Sequence, residues 1–324
     1  MFPWLTWLFA RLAGAWRALI GAAAVEAVAR SRPRGAFGEA PTVVAGRFEL
    51  GRLAGQGGMG KVYRARDLET GAPVAVKILG LSGEEGRLRF EREARLLAEL
   101  EHPGVVHYVA HGFLDDGTPF LAMEWLEGED LAERLRRAEL DVEESVELVG
   151  RLAETLAEVH RRGIIHRDVK PSNVFFEGGS LDCARLLDFG VAHVGGEARP
   201  LTGEGVTVGT PGYMAPEQAR GEAEVGPRAD VFSLGCVLYE CLSGRRPFAA
   251  NDVMGVLLKV VLEEPPPLGE LRDGIPESLE RLVERMLSKK PEDRPADAAA
   301  VARALASLDL RPSAVPGELV AQAA

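Results

Sequence analysis

The sequence is poor in cysteine, and its three cysteines have neither a metal-binding nor a redox spacing. Their odd number argues against a disulfide framework, so we expect a reducing compartment. A long uncharged run is also missing: the longest in the first 30 residues covers about ten positions, whereas a membrane-spanning helix needs about 20. An excess of positive charge is also missing, because 38 Lys and Arg face 49 Asp and Glu and the net charge is −11 at pH 7. This balance disfavours a nucleic-acid-binding protein, which needs a basic face.

The residues that are present suit a large globular protein. The 324 residues are 46% hydrophobic and 27% charged, which is enough to bury a large core in about two domains or lobes. A stretch rich in proline and glycine, SRPRGAFGEAPTVVAG, has no hydrophobic periodicity and predicts a linker. The predicted organisation is an N-terminal helical segment at 1–30, a linker at 31–46, a folded domain at 47–310 and a flexible tail at 311–324.

The segment at 1–30 is apolar and contains three of the four tryptophans. At 100° per residue its leucines share one face with Phe9 and Trp16, and Arg11 and Arg17 fall outside that face. Two interpretations stay open: an amphipathic helix lying on a membrane interface, or a helix that packs on the folded domain or on a partner. We expect a cytoplasmic protein, which the first interpretation would place peripherally at the inner face of the membrane.

Hydrophobic periodicity divides the folded domain into two parts. Short alternating segments come first and predict strands: RFELGRL, KVYRARD, APVAVKIL, VVHYVAHGF and PFLAMEW. Between the third and the fourth, FEREARLLAEL has helical spacing. From about residue 129 onward helical patterns dominate. A small strand-rich lobe followed by a larger helical lobe predicts an α+β fold.

The first candidate site is the glycine-rich segment GQGGMGKVY. Gly55, Gly57 and Gly60 fit the pattern G-x-G-x-x-G, which alone is also typical of dinucleotide-binding turns. A dinucleotide-binding fold requires a helix directly after the glycines, whereas here KVYRARD alternates and turns back at LETG. The glycines therefore cap a hairpin, where backbone amides can approach phosphates without a clash with Cβ atoms. The pattern predicts a loop that covers a nucleotide.

Lys77 lies in the predicted strand VAVKIL between two apolar residues. A lysine buried without an anion shifts toward its neutral form. We therefore expect phosphate oxygens near Lys77 and a carboxylate that holds it in their absence. Glu93, on the first predicted helix, is the favoured carboxylate, and Glu91 is the alternative.

Two aspartates beside apolar, strand-like segments indicate a catalytic centre. Asp168 lies in the loop HRDVKPSN between the runs GII and NVFF, and loops held between strands commonly carry catalytic groups. Asn173 follows five positions later, and Asp188 opens DFG, where Gly190 permits a backbone reversal. Carboxylate, amide and phosphate oxygens are suitable ligands for Mg²⁺. We predict that Asp168 faces an incoming hydroxyl group and that Asn173 and Asp188 hold the metal.

Together these motifs resemble the protein kinase family, in particular bacterial serine/threonine kinases of the eukaryotic-like type. The resemblance rests on GQGGMGKVY, VAVK, REA, HRDVKPSN, DFG, GTPGYMAPE and DRP, which occur in this order between about residues 47 and 310. It implies a bilobal fold. The upper lobe, 47–124, would hold a five-stranded antiparallel sheet and one helix, and the lower lobe, 128–310, would be mainly helical.

The resemblance implies ATP as the phosphate donor and Mg²⁺ as the metal, with Mn²⁺ as an alternative ion. Lys77 would bind the α and β phosphates and pair with Glu93, while Asp168 would accept or orient the substrate hydroxyl proton. Lys170 looks like the residue that marks serine/threonine kinases. The implied reaction is transfer of the γ-phosphate to Ser or Thr hydroxyls of proteins, this chain included, in bacterial signal transduction.

The resemblance also assigns a switch and a nucleotide site. Arg167 would meet a phosphate on the segment after DFG, with Thr202 and Thr207 as candidate acceptors. Thr210 would instead contact the substrate platform, and Glu204 is a candidate for a permanent negative charge in the segment. The residues expected around ATP are Leu53, Gly55, Gly57, Gly58, Gly60, Lys61, Val62, Ala75, Lys77, Met123, Glu124, Leu126 and Phe175.

Other positions resemble structural residues of the family. Glu217 and Arg294 would form a buried ion pair that anchors the lower lobe. Asp230 would cap the central helix and hold the backbone of the HRD loop. A regulatory spine, a line of side chains through both lobes, would comprise Leu97, Tyr108, His166 and Phe189, of which Tyr108 stands where an aliphatic residue is usual.

Two other functions remain as alternatives. A pseudokinase binds nucleotide or partner proteins without phosphate transfer and usually lacks one member of the Lys, Asp, Asp set, whereas this chain lacks none. Transfer to a small molecule is disfavoured by the long segment ending in GTPGYMAPE, which resembles a docking platform for polypeptide. The expected partners are therefore protein substrates and not nucleic acid, with dimerisation of the upper lobes as one route of regulation.

Overall fold

The fold is taken from a computed structural model. The predicted segment at 1–30, the tail at 311–324 and most of the predicted linker lie outside the residues that it describes. Within the described ranges, no helix combines the length and the apolar character that crossing a bilayer requires. Those ranges are 42–57, 60–80, 84–189, 211–222 and 224–310.

The upper lobe is built on one antiparallel sheet with the strand order β1-β2-β3-β4-β6-β5. Side chains alternate between its two faces, so Val74 and Val76 enter a small apolar cluster with Phe48 and Phe120. The same alternation leaves Lys77 on the opposite face. The strands are β1 Val43–Val44, β2 Phe48–Gly57, β3 Gly60–Asp67, β4 Pro73–Leu79, β5 Tyr108–Phe113 and β6 Pro119–Glu124, and helix α1, Glu84–Ala98, follows β4.

This sheet has six strands where five were predicted, because β1 lies within the predicted linker at 31–46. Val44 pairs with Phe48 and is buried in the upper cluster. Ala45 and Gly46 make the turn with positive φ angles of 51° and 67°. A two-residue strand is too short to show alternation, so the surrounding proline and glycine determined the prediction. The folded sheet thus begins before residue 47.

The lower lobe surrounds a helix that is apolar on nearly all sides. This helix, α5, carries the run VFSLGCVLYECL, and nearly all of its residues are buried. A small antiparallel sheet in the order β7-β8-β9 lies in the same lobe. Its strands are Gly128–Asp130, Val174–Glu177 and Ala184–Leu186; the helices are α2 Leu131–Arg137, α3 Val142–Arg161, α4 Pro216–Ala219, α5 Pro227–Ser243, α6 Val253–Leu262, α7 Glu277–Met286 and α8 Ala298–Ala306.

One continuous apolar core connects the lobes. Phe90, Ala94 and Leu97 project from α1 into the same cluster as Phe189 and the buried residues of the lower lobe. Helix α1 therefore packs between the upper sheet and the segment that carries DFG. The bilobal α+β architecture predicted from the motifs is confirmed.

Asp67, at the end of β3, is a buried carboxylate with several donors. Arg47 donates from Nε at 2.9 Å and from an η nitrogen at 2.8 Å. The Glu69 backbone N–H and the Thr70 hydroxyl donate at 3.1 and 3.0 Å. The Arg47 hydrogen bonds are the largest cause that lowers the pKa of Asp67 well below its usual range, and these local donors add to the effect.

We expect the stabilising contribution of Asp67 to be lost in acid. Because its pKa is lower in the folded than in the unfolded chain, the contribution is complete above the unfolded value of about 4 and declines as the pH falls below it. Urea unfolding of the parent and of Asp67→Asn at pH 6 and pH 3 measures this. The difference in unfolding free energy should be smaller at pH 3, and an equal difference at both pH values would contradict the assignment.

Candidate functional site

Lys77 lies on β4 with only 6% of its surface exposed. Its ammonium nitrogen is 2.9 Å from Oδ1 of Asp188. The structure therefore pairs Lys77 with Asp188 where a pair with Glu93 was predicted. Asp188 lies two residues after the end of β9. Its backbone is in the left-handed region, with φ at 52°. The buried ammonium requires a carboxylate, and Asp188 of the DFG segment supplies one.

Asp168 is held by two donors within its own loop. Lys170 Nζ lies 2.7 Å from Asp168 Oδ2. The amide nitrogen of Asn173 donates to the same oxygen at 3.0 Å and to the backbone carbonyl of Asp168 at 2.7 Å. The side chain of Asp168 is 12% exposed. These contacts set the orientation of one carboxylate in a largely buried loop.

Asp230, on α5, holds the backbone of this loop through hydrogen bonds. Its two carboxylate oxygens accept from the backbone N–H groups of His166 and Arg167, both at 2.8 Å. This fastening matters because Arg167 has a strained positive φ of 63°. The prediction that Asp230 holds the HRD backbone is confirmed. The prediction that it caps the helix is wrong, because Gly226 is the N-cap of α5 and Asp230 lies one turn further along.

Leu187 connects the HRD loop to the DFG segment. Its backbone N–H donates to the carbonyl of Asn173 at 2.8 Å, and its carbonyl contacts His166 Nε2 at 2.9 Å. The ring centroids of His166 and Phe189 are 4.7 Å apart. The structure thus brings five of the predicted catalytic and metal-binding residues into one connected assembly. These are Lys77, Asp168, Lys170, Asn173 and Asp188.

The glycine-rich segment forms the predicted hairpin between β2 and β3. Gly55 pairs with Val62, and Gly57 pairs with Gly60 across the turn. Gly60 has a φ of 137°, and a Cβ atom there would lie 2.0 Å from the carbonyl oxygen of Ile78, so only glycine fits. A Cβ at Gly55 or Gly57 would meet nothing within 4 Å, so their neighbours do not require glycine. Gly58 lies outside the described residues.

The residues predicted around the adenine lie mostly on the sheet. Ala75 is directly opposite Met123, and Val62 is directly opposite Lys77. Leu53, on β2, is 47% exposed. The register places the side chains of Val62, Ala75 and Met123 on one face of the upper sheet, the face that also carries Lys77. Lys61 lies on β3, Glu124 ends β6, Leu126 follows it, and Phe175 lies on β8 of the lower sheet.

Tyr108 lines a cavity of about 20 Å³ together with Met123, Leu97 and Phe189. Its hydroxyl is hydrogen-bonded to Nδ1 of His111. Burial raises the pKa of Tyr108 to about 12 and is the main cause that lowers the pKa of His111. The tyrosine therefore keeps its proton near neutral pH and can donate it to the uncharged imidazole. Tyr108, the atypical residue of the predicted spine, thus fills space and also forms a hydrogen bond with His111 within β5.

The predicted metal ligands offer oxygen donors. The side-chain nitrogen of Asn173 donates to Asp168. The side-chain oxygen of Asn173 is therefore the atom that can bind a metal ion. Asp188 supplies a carboxylate that is 30% exposed. One carboxylate and one amide oxygen fit a hard cation such as Mg²⁺, which keeps few protein ligands and completes its shell with water and phosphate.

Glu217 and Arg294 form the predicted buried ion pair. The two η nitrogens of Arg294 lie 2.7 and 2.9 Å from the two carboxylate oxygens of Glu217. The side chains are 0% and 4% exposed. Arg294 also donates to the backbone carbonyls of Arg228, Ser288 and Lys289, so its guanidinium joins α4 to the segment after α7.

The residues of the predicted switch are only partly within the described structure. Nε of Arg167 is buried and has no hydrogen-bond partner among the described residues. Its backbone carbonyl accepts from Nε2 of Gln218 at 3.0 Å. The remaining predicted positions, Thr202, Glu204, Thr207 and Thr210, lie outside the described residues.

Two residues near the loop have no signal in the motifs. His160, on α3, contacts Asp230 through Nε2 at 2.8 Å. Gln218, on α4, supports the carbonyl of Arg167. Gln218 contacts the loop backbone directly and His160 acts through Asp230, and their partners are 51 and 70 positions away in the sequence. Spacing in the sequence cannot reveal such contacts.

A comparison with protein families identifies this arrangement. The model of the protein kinase domain family matches residues 48–305. The chain belongs to the protein kinase family. Serine/threonine-protein kinase pkn3 of Myxococcus xanthus is 38% identical to the kinase domain over 251 residues, which are 74% of this chain and 46% of that protein. The chain therefore spans less than half the length of this relative.

Solved structures show the same kinase fold. The PknI kinase domain of Mycobacterium tuberculosis has a TM-score of 0.64 and 28% identity, covering 82% of this chain and 96% of that one. A structure of Rad53 in complex with AMP-PNP has a TM-score of 0.63 and 25% identity, covering 79% and 64%. Membership of the family implies the use of ATP and a divalent metal ion.

Proposed function

We propose that this kinase domain transfers the γ-phosphate of ATP to serine and threonine hydroxyls of proteins, with Mg²⁺ as the metal. The observation that carries the proposal is the connected assembly of the HRD loop and the DFG segment. Asp168, Lys170 and Asn173 are hydrogen-bonded to one another. Leu187 joins them to Asp188, which forms an ion pair with Lys77 of β4. A scaffold without phosphate transfer would not require all of these groups.

Asp168 would act by orienting the substrate hydroxyl. Lys170 and Asn173 hold one of its oxygens, so the carboxylate has a defined direction before the substrate binds. Lys170 also places a positive charge 2.7 Å from that carboxylate, where it can stabilise charge on a transferred phosphate. The transition state of phosphoryl transfer is loose, so positioning and electrostatics provide most of the rate gain.

Lys77, Asn173 and Asp188 would hold the nucleotide and its metal. Bound Mg²⁺ would neutralise phosphate charge at this site. Lys77 and Asp188 already lie 2.9 Å apart, so phosphate oxygens near Lys77 would also be near the metal ligand. Gly55 and Gly57 leave room for backbone amides to approach the phosphates.

The proposal is tested with matched peptides that carry Ser, Thr or Tyr at one position between identical flanks. We expect phosphate incorporation from Mg-ATP into the Ser and Thr peptides and none into the Tyr peptide. Phosphorylated tyrosine would overturn the specificity assigned through Lys170. ATP binding without transfer to a peptide or to the chain itself would favour the pseudokinase alternative.

We also propose that the chain phosphorylates itself on the segment after DFG. The buried Nε of Arg167, which has no partner among the described residues, supports a phosphate partner from Thr202 or Thr207. In the alternative, Glu204 supplies the charge. Activity lost in Thr202→Ala/Thr207→Ala would support the threonines, and activity lost only in Glu204→Arg would support the glutamate.

Contact of residues 1–30 with a membrane remains a proposal, as does dimerisation. Co-sedimentation of the full chain with vesicles that contain anionic lipid distinguishes the two interpretations of the N-terminal segment. A peripheral membrane helix requires the full chain to co-sediment and Leu8→Asp/Leu12→Asp to stay in solution. Equal soluble fractions would favour packing on the domain or on a partner.

A further inference from the structure

Arg185, on β9, joins three parts of the kinase domain. One η nitrogen lies 2.7 Å from Oε1 of Glu124, at the end of β6. The other lies 2.6 Å from Oε2 of Glu177, at the end of β8. The Glu124 oxygen also accepts the backbone N–H of His107 at 2.6 Å. Residues 124–126 begin the connection from β6 to the lower lobe, and we call them the hinge. The three side chains, which we call the hinge brace, are Arg185, Glu124 and Glu177.

The hinge brace fixes the backbone at Glu124 from several sides. The Glu124 N–H donates to the carbonyl of His107 at 2.9 Å, so backbone and side chain of Glu124 both bond to His107. Glu124 also pairs with Val74 across the sheet. Arg185 adds the connection to the lower lobe, because β9 belongs to the lower sheet.

Strand β9 leads directly to the metal end of the site. Only Leu186 and Leu187 separate Arg185 from Asp188. Leu186 bonds to Gly104 at 2.8 Å and to Val106 at 3.1 Å through its backbone, so the strand is held along its length. One short segment therefore touches the hinge through Arg185 and carries Asp188 at its end.

We propose that Arg185 is a positioning residue that fixes the adenine-binding hinge relative to the phosphate- and metal-binding end of the site. This inference rests on the proposed function, because it takes the backbone at Glu124 and Leu126 as the adenine contact. A ligand that spans both ends needs them at a fixed separation, whereas a ligand that touches only the hinge does not. The guanidinium suits this role because its rigid fork binds two carboxylates at once.

Lysine cannot reproduce this contact. A single ammonium can hold Glu124 or Glu177 but lacks the planar fork that holds both in a fixed geometry. Glu177→Gln removes only the carboxylate charge on the lower-lobe side of the hinge brace. It leaves the contact of Arg185 with Glu124. These variants give a graded series of brace contacts without altering Lys77, Asp168 or Asp188.

The test compares Mg-ATP with adenosine by calorimetric titration of the full chain. In Arg185→Gln we expect the Kd for Mg-ATP to rise about tenfold, because misplaced binding groups lose much of their effect, and the Kd for adenosine to rise by less than about threefold. Arg185→Lys and Glu177→Gln should fall between the parent and Arg185→Gln. Thermal unfolding establishes that each variant is folded.

Arg151→Gln is the matched control. Arg151 also bridges two carboxylates, Glu147 at 2.7 Å and Asp182 at 2.5 Å, but all three lie in the lower lobe. Its affinities for both ligands should equal those of the parent. Equal losses for Mg-ATP and adenosine in the Arg185 variants, no loss, or tighter binding would each overturn the positioning role. A parent chain that binds neither ligand would instead overturn the proposed function.

Discussion

Replacing Asp168 by asparagine is expected to lower kcat for phosphate transfer about 10²–10³-fold. The amide keeps the size of the side chain but cannot accept the substrate proton, and its NH₂ group would face Lys170 or the Asn173 amide, which now donate to Asp168 Oδ2. Steady-state phosphate transfer from Mg-ATP to a Ser-containing peptide measures the effect.

Nucleotide binding should survive in Asp168→Asn. Lys77 and Asp188, which contact each other at 2.9 Å, are unchanged, so the Kd for Mg-ATP should stay within about threefold of the parent value. Asp182→Asn is the control, because that side chain is 74% exposed and pairs with Arg151. A kcat in Asp168→Asn equal to that of the control would contradict the role assigned to Asp168.

Glu217→Gln is expected to lower the free energy of unfolding by about 3–5 kcal/mol. The substitution keeps the shape of the side chain but leaves the charge of Arg294 uncompensated, and the Arg294 side chain is 0% exposed. The remaining acceptors of Arg294 are neutral backbone carbonyls, which cannot replace a carboxylate. Urea unfolding at pH 7 measures the loss.

An exposed ion pair provides the comparison for Glu217. Glu277 and Arg281 lie 2.8 Å apart on α7, with side chains 68% and 63% exposed. Because solvent screens such a pair, Glu277→Gln should cost about 0.5 kcal/mol or less. If both variants lost the same small amount, Glu217 and Arg294 would not anchor the lower lobe.

The sequence predicted the two lobes and the position of most elements. Strands such as Pro73–Leu79 show two-residue alternation, and α5 carries an apolar run too long for a strand. Lys77, Asp168 and Asp188 could also be selected as candidate site residues from the sequence, because each is a charged residue beside an apolar strand. Such a residue requires a partner or a task.

Pairings between distant residues could not be predicted from spacing. Arg185 and Glu124 are 61 positions apart, and neither belongs to a motif that names the other. Lys77 had two candidate partners on α1, and the structure pairs it with Asp188. A positive φ at Asp188 leaves no mark in the sequence. Strand β1 was missed because two valines between a nearby proline and a nearby glycine are too short a pattern to distinguish from a linker.

Intact-mass spectrometry of the purified full chain before and after Mg-ATP tests the central claim most directly. We expect mass increments of whole phosphate groups in the parent and none in Asp188→Asn, with peptide mapping placing them on Thr or Ser. The same increments in Asp188→Asn would contradict the catalytic assignment. No increment in the parent, together with no transfer to any Ser or Thr peptide, would contradict the claim that this kinase domain transfers phosphate.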